Sequence, residues 1–173
     1  KAVVSARVLA GTSVLAQTDR LNPRGVNGMV LYKPRRWDID DPFLHTVEVT
    51  VSVDGKVVDA ERIPFGVRDA RWDAARGFLL NGRVVKLNGV CLHHDQGPLG
   101  AAAYPAAIQR QVAILRTMGC NAIRTSHNPP SPELLRACDA QGMLVMDELF
   151  DAWTIAKKPN DYHRDYAAWH RRD

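Results

Sequence analysis

Three short polar clusters carry side chains able to do chemistry: His93-His94-Asp95, Arg124-Thr125-Ser126-His127-Asn128 and Asp147-Glu148. Imidazoles, a guanidinium and carboxylates can position a polar substrate, exchange protons or bind a metal. Spacing narrows that choice. Neighbours on a strand face opposite sides, so at most one of His93 and His94 can face a site. Ser126 and His127 are separated by the same argument, and no G-x-S-x-G elbow is present, so a Ser126/His127/Asp147 triad is not supported. A metal hydrolase built on His93, His127 and Asp147 would want two histidines on one face, which adjacent histidines do not supply. Asp147 and Glu148 are neighbours and therefore not a facing acid/base pair. One is expected to face the site and the other to brace a strand or loop. Arg124 is expected either to orient an acidic group or to form a structural ion pair with an acidic neighbour such as Asp147. Trp153 reads equally as a sugar-stacking platform or as a packing aromatic.

The elements around these clusters must hold them. Each cluster ends a short strand, expected at residues 90–93, 121–126 and 143–146. Between the strands lie two helical patterns. Residues 105–118 have Pro105 at the first turn, an apolar stripe of Ile108, Val112, Leu115 and Met118, and Gly119 at the end. The second pattern has Ser131 as N-cap, Pro132 at N1, an apolar stripe of Leu134, Leu135 and Cys138, and Gly142 as its stop. Alternating strands and helices predict successive βα units of a parallel sheet, with the polar clusters at the carboxyl ends of the strands. A further helix is expected from residue 162 onward.

Residues 1–66 read differently. Val47, Val49, Val51 and Val53 alternate with Glu48, Thr50 and Ser52, the pattern of a half-buried antiparallel strand. Asp54-Gly55 and Asn81-Gly82 are two-residue hairpin turns. A short strand is expected over residues 29–32. Several short strands with turn signals between them predict a β-sandwich over residues 1–66, missing its first strands. A connecting hairpin is expected over residues 67–87, and the βα units from residue 88 to residue 173.

Composition excludes several classes. The net charge is +4, but the arginines are scattered singly without an aromatic stripe, so nucleic-acid binding is not supported. No apolar run approaches the ~20 residues of a membrane span. No signal-peptide pattern opens the sequence. Cys91, Cys120 and Cys138 form no CxxC pair and lie in apolar segments, so buried free thiols are expected. The sequence opens in a strand pattern and closes in a helical one, and a closed (β/α)8 barrel needs about 250 residues. It is therefore expected to be a piece of a longer chain.

These residues resemble glycoside hydrolase family 2, the β-galactosidase, β-glucuronidase and β-mannosidase family. The likeness is carried by Phe65-Gly66-Val67-Arg68, by residues 77–82 (GFLLNG), residues 86–95 (KLNGVCLHHD), residues 118–130 (MGCNAIRTSHNPP) and residues 144–148 (LVMDE). The resemblance implies an immunoglobulin-like β-sandwich followed by the first three strands of a TIM (β/α)8 barrel. It implies a retaining exo-β-glycosidase, β-galactosidase-like, acting on a carbohydrate substrate without an organic cofactor. His93 and His127 match the positions of substrate-contacting histidines, and Arg124 that of an arginine steadying the nucleophile. Asn128 and Asp147 join them as candidate sugar-binding residues, with Trp153 as a candidate platform. The two catalytic glutamates of the family lie on later strands, and neither motif occurs here. Some members bind Mg²⁺ through a histidine just after the third strand. Residues 149–154 lack that histidine, so no metal is carried over. The piece alone is expected to be inactive. The other reading is a non-catalytic carbohydrate-binding or structural member of the family. A bacterial origin is implied, with the compartment and any homo-oligomer left open.

Overall fold

The computed structural model describes all residues, Lys1–Asp173, and the chain divides into two compact units, Lys1–Val85 and Lys86–Asp173. No helix is long and apolar enough to cross a membrane.

The first unit is antiparallel. Strands β1 (Ala2–Ala10), β2 (Ser13–Thr18), β3 (His45–Val53) and β4 (Lys56–Phe65) form one sheet in the order β2-β1-β3-β4. The β3–β4 turn is the expected hairpin: φ is +49° at Asp54 and +81° at Gly55, the two positive values a type I′ turn requires. Arg7, Glu48 and Arg62 lie directly abreast on β1, β3 and β4. Arg7 and Arg62 donate to the two oxygens of Glu48 at 2.6 and 2.8 Å. Of the expected sandwich, the unit contains this one four-stranded sheet. Ala6, Val8 and Leu9 are buried, whereas Val57, Val58 and Ile63 on the edge strand β4 stay exposed.

A smaller sheet, β5 (Ala70–Asp73), β6 (Gly77–Leu80) and β7 (Arg83–Val84), turns at Asn81-Gly82, where φ is +54° and +84°. The Asn81 side chain accepts from the Asp69 N–H and donates to the Trp37 carbonyl. That contact anchors the buried Trp37. Gly66 packs tightly here: a Cβ would stand 3.0 Å from the Trp37 side chain and force it to shift. The strand expected over residues 29–32 does not form. Val30 and Tyr32 are exposed in irregular backbone, and no neighbouring strand offers a ladder to residues 29–32.

The second unit alternates strand and helix: β8 (Gly89–Leu92), α1 (Pro105–Thr117), β9 (Ala122–Thr125), α2 (Pro132–Gln141), β10 (Leu144–Met146) and α3 (His163–Trp169). The strands pair in parallel, in the order β10-β9-β8. Pro105 opens α1, and Gly119 follows it with φ +85°. Ser131 caps α2 by accepting from the Leu134 N–H, and Gly142 ends it in the left-handed conformation. Val90, Ile123 and Val145 face the helices and join a core of Ile108, Val112, Cys120, Leu134, Ala137, Cys138 and Met143. Met118, expected in the α1 stripe, is instead exposed, because the helix ends one residue before it. Cys120 and Cys138 are buried as expected, and burial pushes the Cys138 thiol up to about 12. Cys91 is exposed, contrary to the expectation: one residue after Val90, it faces the opposite side of the sheet.

His45 is fully buried in the first unit, between Phe43 at 5.0 Å and Phe65 at 5.5 Å, and neither ring nitrogen finds a partner. Burial holds its pKa below the ordinary value, so the folded state keeps the ring neutral while the unfolded chain protonates near pH 6.5. Stability is therefore full above about pH 6.5 and falls as the pH drops below it. Thermal melts from pH 7.5 to 5 are expected to show a shallower loss of Tm for His45→Leu than for the parent.

Candidate functional site

Strand register builds the cluster. Cys91, Arg124 and Met146 are directly aligned across β8, β9 and β10. Their side chains share the sheet face turned away from α1 and α2. Two residues beyond Met146, the same parity brings Glu148 to this face. The Glu148 N–H donates to the buried Thr125 hydroxyl at 2.9 Å, which fixes the backbone where β10 ends.

Glu148 is the hub of the cluster. Arg124 Nη2 stands 2.7 Å from Glu148 Oε2, and His127 Nδ1 stands 2.9 Å from Oε1. One carboxylate thus engages two side chains from the strand beside it. His127 and Arg124 hold the Glu148 carboxyl below the usual carboxylate range, with the His127 hydrogen bond the largest cause. Arg124 also reaches Cys91, with Nη1 at 3.5 Å from the sulfur. The nearby Ser126 hydroxyl and then the Arg124 guanidinium lower the Cys91 pKa. His93 meets His127 edge-on, with ring centroids 5.6 Å apart. Asp151 Oδ1 lies 3.8 Å from His127 Nδ1 and is held by Lys157 at 2.7 Å. The Ser126–His127 peptide bond is cis.

The expected site residues do not all meet. His93, Arg124 and His127 come together. Asn128 turns aside, donating to the Pro129 carbonyl and lining a cleft of about 20 Å³ with His93, His94 and Ser131. Asp147 is exposed and makes no hydrogen bond or ion pair with the cluster. The acidic partner of Arg124 is Glu148, not Asp147, because alternation turns residue 147 to the other side. Trp153 is about half exposed. Its indole N–H donates to the Phe150 carbonyl, and its ring lies against Phe150 and Tyr166. Asp151 and Cys91 were not among the expected site residues, and of the adjacent pair Asp147, not Glu148, was expected to bind the sugar. The parity of residues 146 and 148 is the signal that marks Glu148.

His127, Glu148 and Asp151 offer three ligand atoms within 4.8 Å of one another. A cation there would have to displace the Arg124 and His127 contacts that already occupy Glu148. As built, the group orients charge and hydrogen bonds on an open rim of the sheet.

Known proteins are similar to this chain in sequence and in fold. The family model described as "Glycosyl hydrolases family 2, TIM barrel domain" matches residues 74–167, and a second, "Glycosyl hydrolases family 2", matches residues 4–68. The β-galactosidase BoGH2A of Bacteroides ovatus is 50% identical over 145 residues, which cover 84% of this chain and 17% of that protein. A β-glucuronidase of Bacteroides fragilis is 36% identical over 122 residues, 70% of this chain and 18% of that protein. The crystal structure of a glycosyl hydrolase family 2 member from Bacteroides cellulosilyticus superposes with a TM-score of 0.87 at 37% identity, over 99% of this chain and 23% of that one. The chain therefore spans about a fifth of the length of these relatives.

Thr125→Val is expected to leave the Glu148 N–H without an acceptor at nearly unchanged side-chain volume. The cost is about 1–3 kcal/mol, read as a lower urea midpoint in the tryptophan-fluorescence transition.

Proposed function

This chain belongs to glycosyl hydrolase family 2, and from that premise we propose that the whole protein is a retaining exo-β-glycosidase that removes terminal β-linked sugars, β-galactosidase-like in specificity. The observation that carries the reading is the His93, Arg124, His127 and Glu148 cluster at the carboxyl ends of parallel strands, the edge where α/β enzymes bind ligands. The preference for galactose follows the 50% identity to a β-galactosidase, against 36% to a β-glucuronidase.

In this reading residues 88–173 are the first βα units of a (β/α)8 barrel. Residues 1–66 are strands of an immunoglobulin-like sandwich, and residues 67–87 are the connecting hairpin. The chemistry needs two carboxylates about 5 Å apart, one forming a glycosyl-enzyme and the other passing protons. Glu148 is not one of them in this reading, because its carboxylate already pairs with Arg124 and holds His127. The catalytic pair lies outside residues 1–173. Arg124 has a guanidinium face left to steady an incoming carboxylate, and the exposed rings of His93 and His127 are placed to hydrogen-bond sugar hydroxyls. Such contacts act when they are stronger in the transition state than in the ground state.

The full-length protein is expected to hydrolyse p-nitrophenyl β-galactoside faster than the matching glucuronide, and purified residues 1–173 to hydrolyse neither. The reverse preference would reassign the sugar. Turnover by residues 1–173 alone would overturn the placement of the catalytic pair. In the full-length enzyme, His127→Ala should lower kcat/KM about 10- to 100-fold, the loss of one hydrogen bond strengthened in the transition state.

A further inference from the structure

We propose that Glu148 is a positioning residue that sets the tautomer of His127, keeping the proton on Nδ1 and presenting Nε2 as an acceptor for a sugar hydroxyl. The proposal rests on the glycosidase function, in which His127 touches the sugar.

The assignment comes from counting donors. Glu148 has Arg124 on Oε2 at 2.7 Å and His127 Nδ1 on Oε1 at 2.9 Å. Both contacts favour the ionised carboxylate, and an ionised carboxylate only accepts. The proton between Oε1 and Nδ1 must therefore sit on Nδ1. Arg124 Nη2 is also 3.3 Å from Nδ1, but it carries only donors and cannot bond a nitrogen that already holds a proton. Its place is on Oε2. Arg124 thus neutralises the carboxylate as an ion pair at Oε2, while His127 donates to Oε1. A neutral imidazole with Nδ1–H has its lone pair on Nε2, so the sugar group that meets it must donate.

Charge alone would not select this tautomer. The groups facing His127 are Arg124 from β9, His93 beyond β8, and Glu148, Asp151 and Lys157 from the segment beyond β10. Arg124 offsets Glu148, and Lys157 offsets Asp151. What distinguishes the two ring nitrogens is the direct hydrogen bond to Glu148.

Glu148→Gln tests this in the full-length enzyme. Its amide has one oxygen, which the guanidinium takes, so the amide N–H₂ faces Nδ1 and drives the proton to Nε2. The probes are p-nitrophenyl β-galactoside and its ring-deoxyfluoro analogues, in which fluorine removes a donor. Fluorine also slows the chemistry inductively, but equally in both enzymes, so the ratio of variant to parent kcat/KM isolates the contact. At one ring position the fluorine penalty is expected to shrink about 10-fold or more in Glu148→Gln, while the other positions keep theirs. An unchanged penalty at every position would overturn the proposal, even if the variant were slower, since a merely structural role lowers all rates alike. The ¹⁵N shifts of histidine-labelled parent protein, assigned with His127→Gln, read the tautomer directly and need no turnover. Nδ1–H supports the proposal, and Nε2–H refutes it. A parent enzyme with this tautomer but no glycosidase activity would instead overturn the functional reading.

Discussion

Parallel pairing of β8, β9 and β10 is the constraint on which the site depends. It sets Cys91, Arg124 and Met146 in one row and Val90, Ile123 and Val145 in the next. The second row is drawn into the helical core by Ile108, Val112, Leu134 and Cys138. The first row is thereby forced onto the other face. Burial of valine and isoleucine thus aims the arginine. Gly89 matters for the same reason: a Cβ there would meet the Ala122 carbonyl at 3.0 Å and push β8 away from β9.

Glu148 converts that placement into a defined electrostatic arrangement. Arginine and histidine both stand within reach of one carboxylate, so neither can wander without leaving a charge partly unpaired. The Thr125 hydroxyl holds the backbone beneath it, and the Asp151–Lys157 pair closes the cluster from the following loop. The result is rigid on one side and open on the other, as a surface that orients a polar ligand should be.

Much of this was legible in the sequence. The Asp54-Gly55 and Asn81-Gly82 turns, the Ser131 cap and the Gly142 stop each rest on a local rule that one residue enforces, and the structure shows all four. Ile108 and Val112 on α1, and Leu134 and Cys138 on α2, were readable from helical period. The failures were of another kind. Residues 29–32 looked like a strand, but a strand exists only when a neighbour supplies its ladder, and no local pattern reports the neighbour. Asp147 and Glu148 could not be ranked by type. Only the parity counted back to Arg124 separates them, and parity needs the strand pairing. Cys91 was misjudged because its apolar surroundings hid the face it occupies. His45 carries no signal of its buried, unpartnered state, since that depends on Phe43 and Phe65 closing around it.

The row of Arg7, Glu48 and Arg62 bears on how the first sheet reaches its alignment. β3 consists largely of alternating valines, and a valine-rich strand can pair in more than one offset with little loss of apolar contact. A shift of two residues keeps the valines on their face but carries Glu48 about 7 Å along the strand, away from both arginines at once. The penalty falls on the misaligned sheets rather than rewarding the correct one. Glu48 therefore narrows the set of competing low-energy pairings that the chain must escape while it folds.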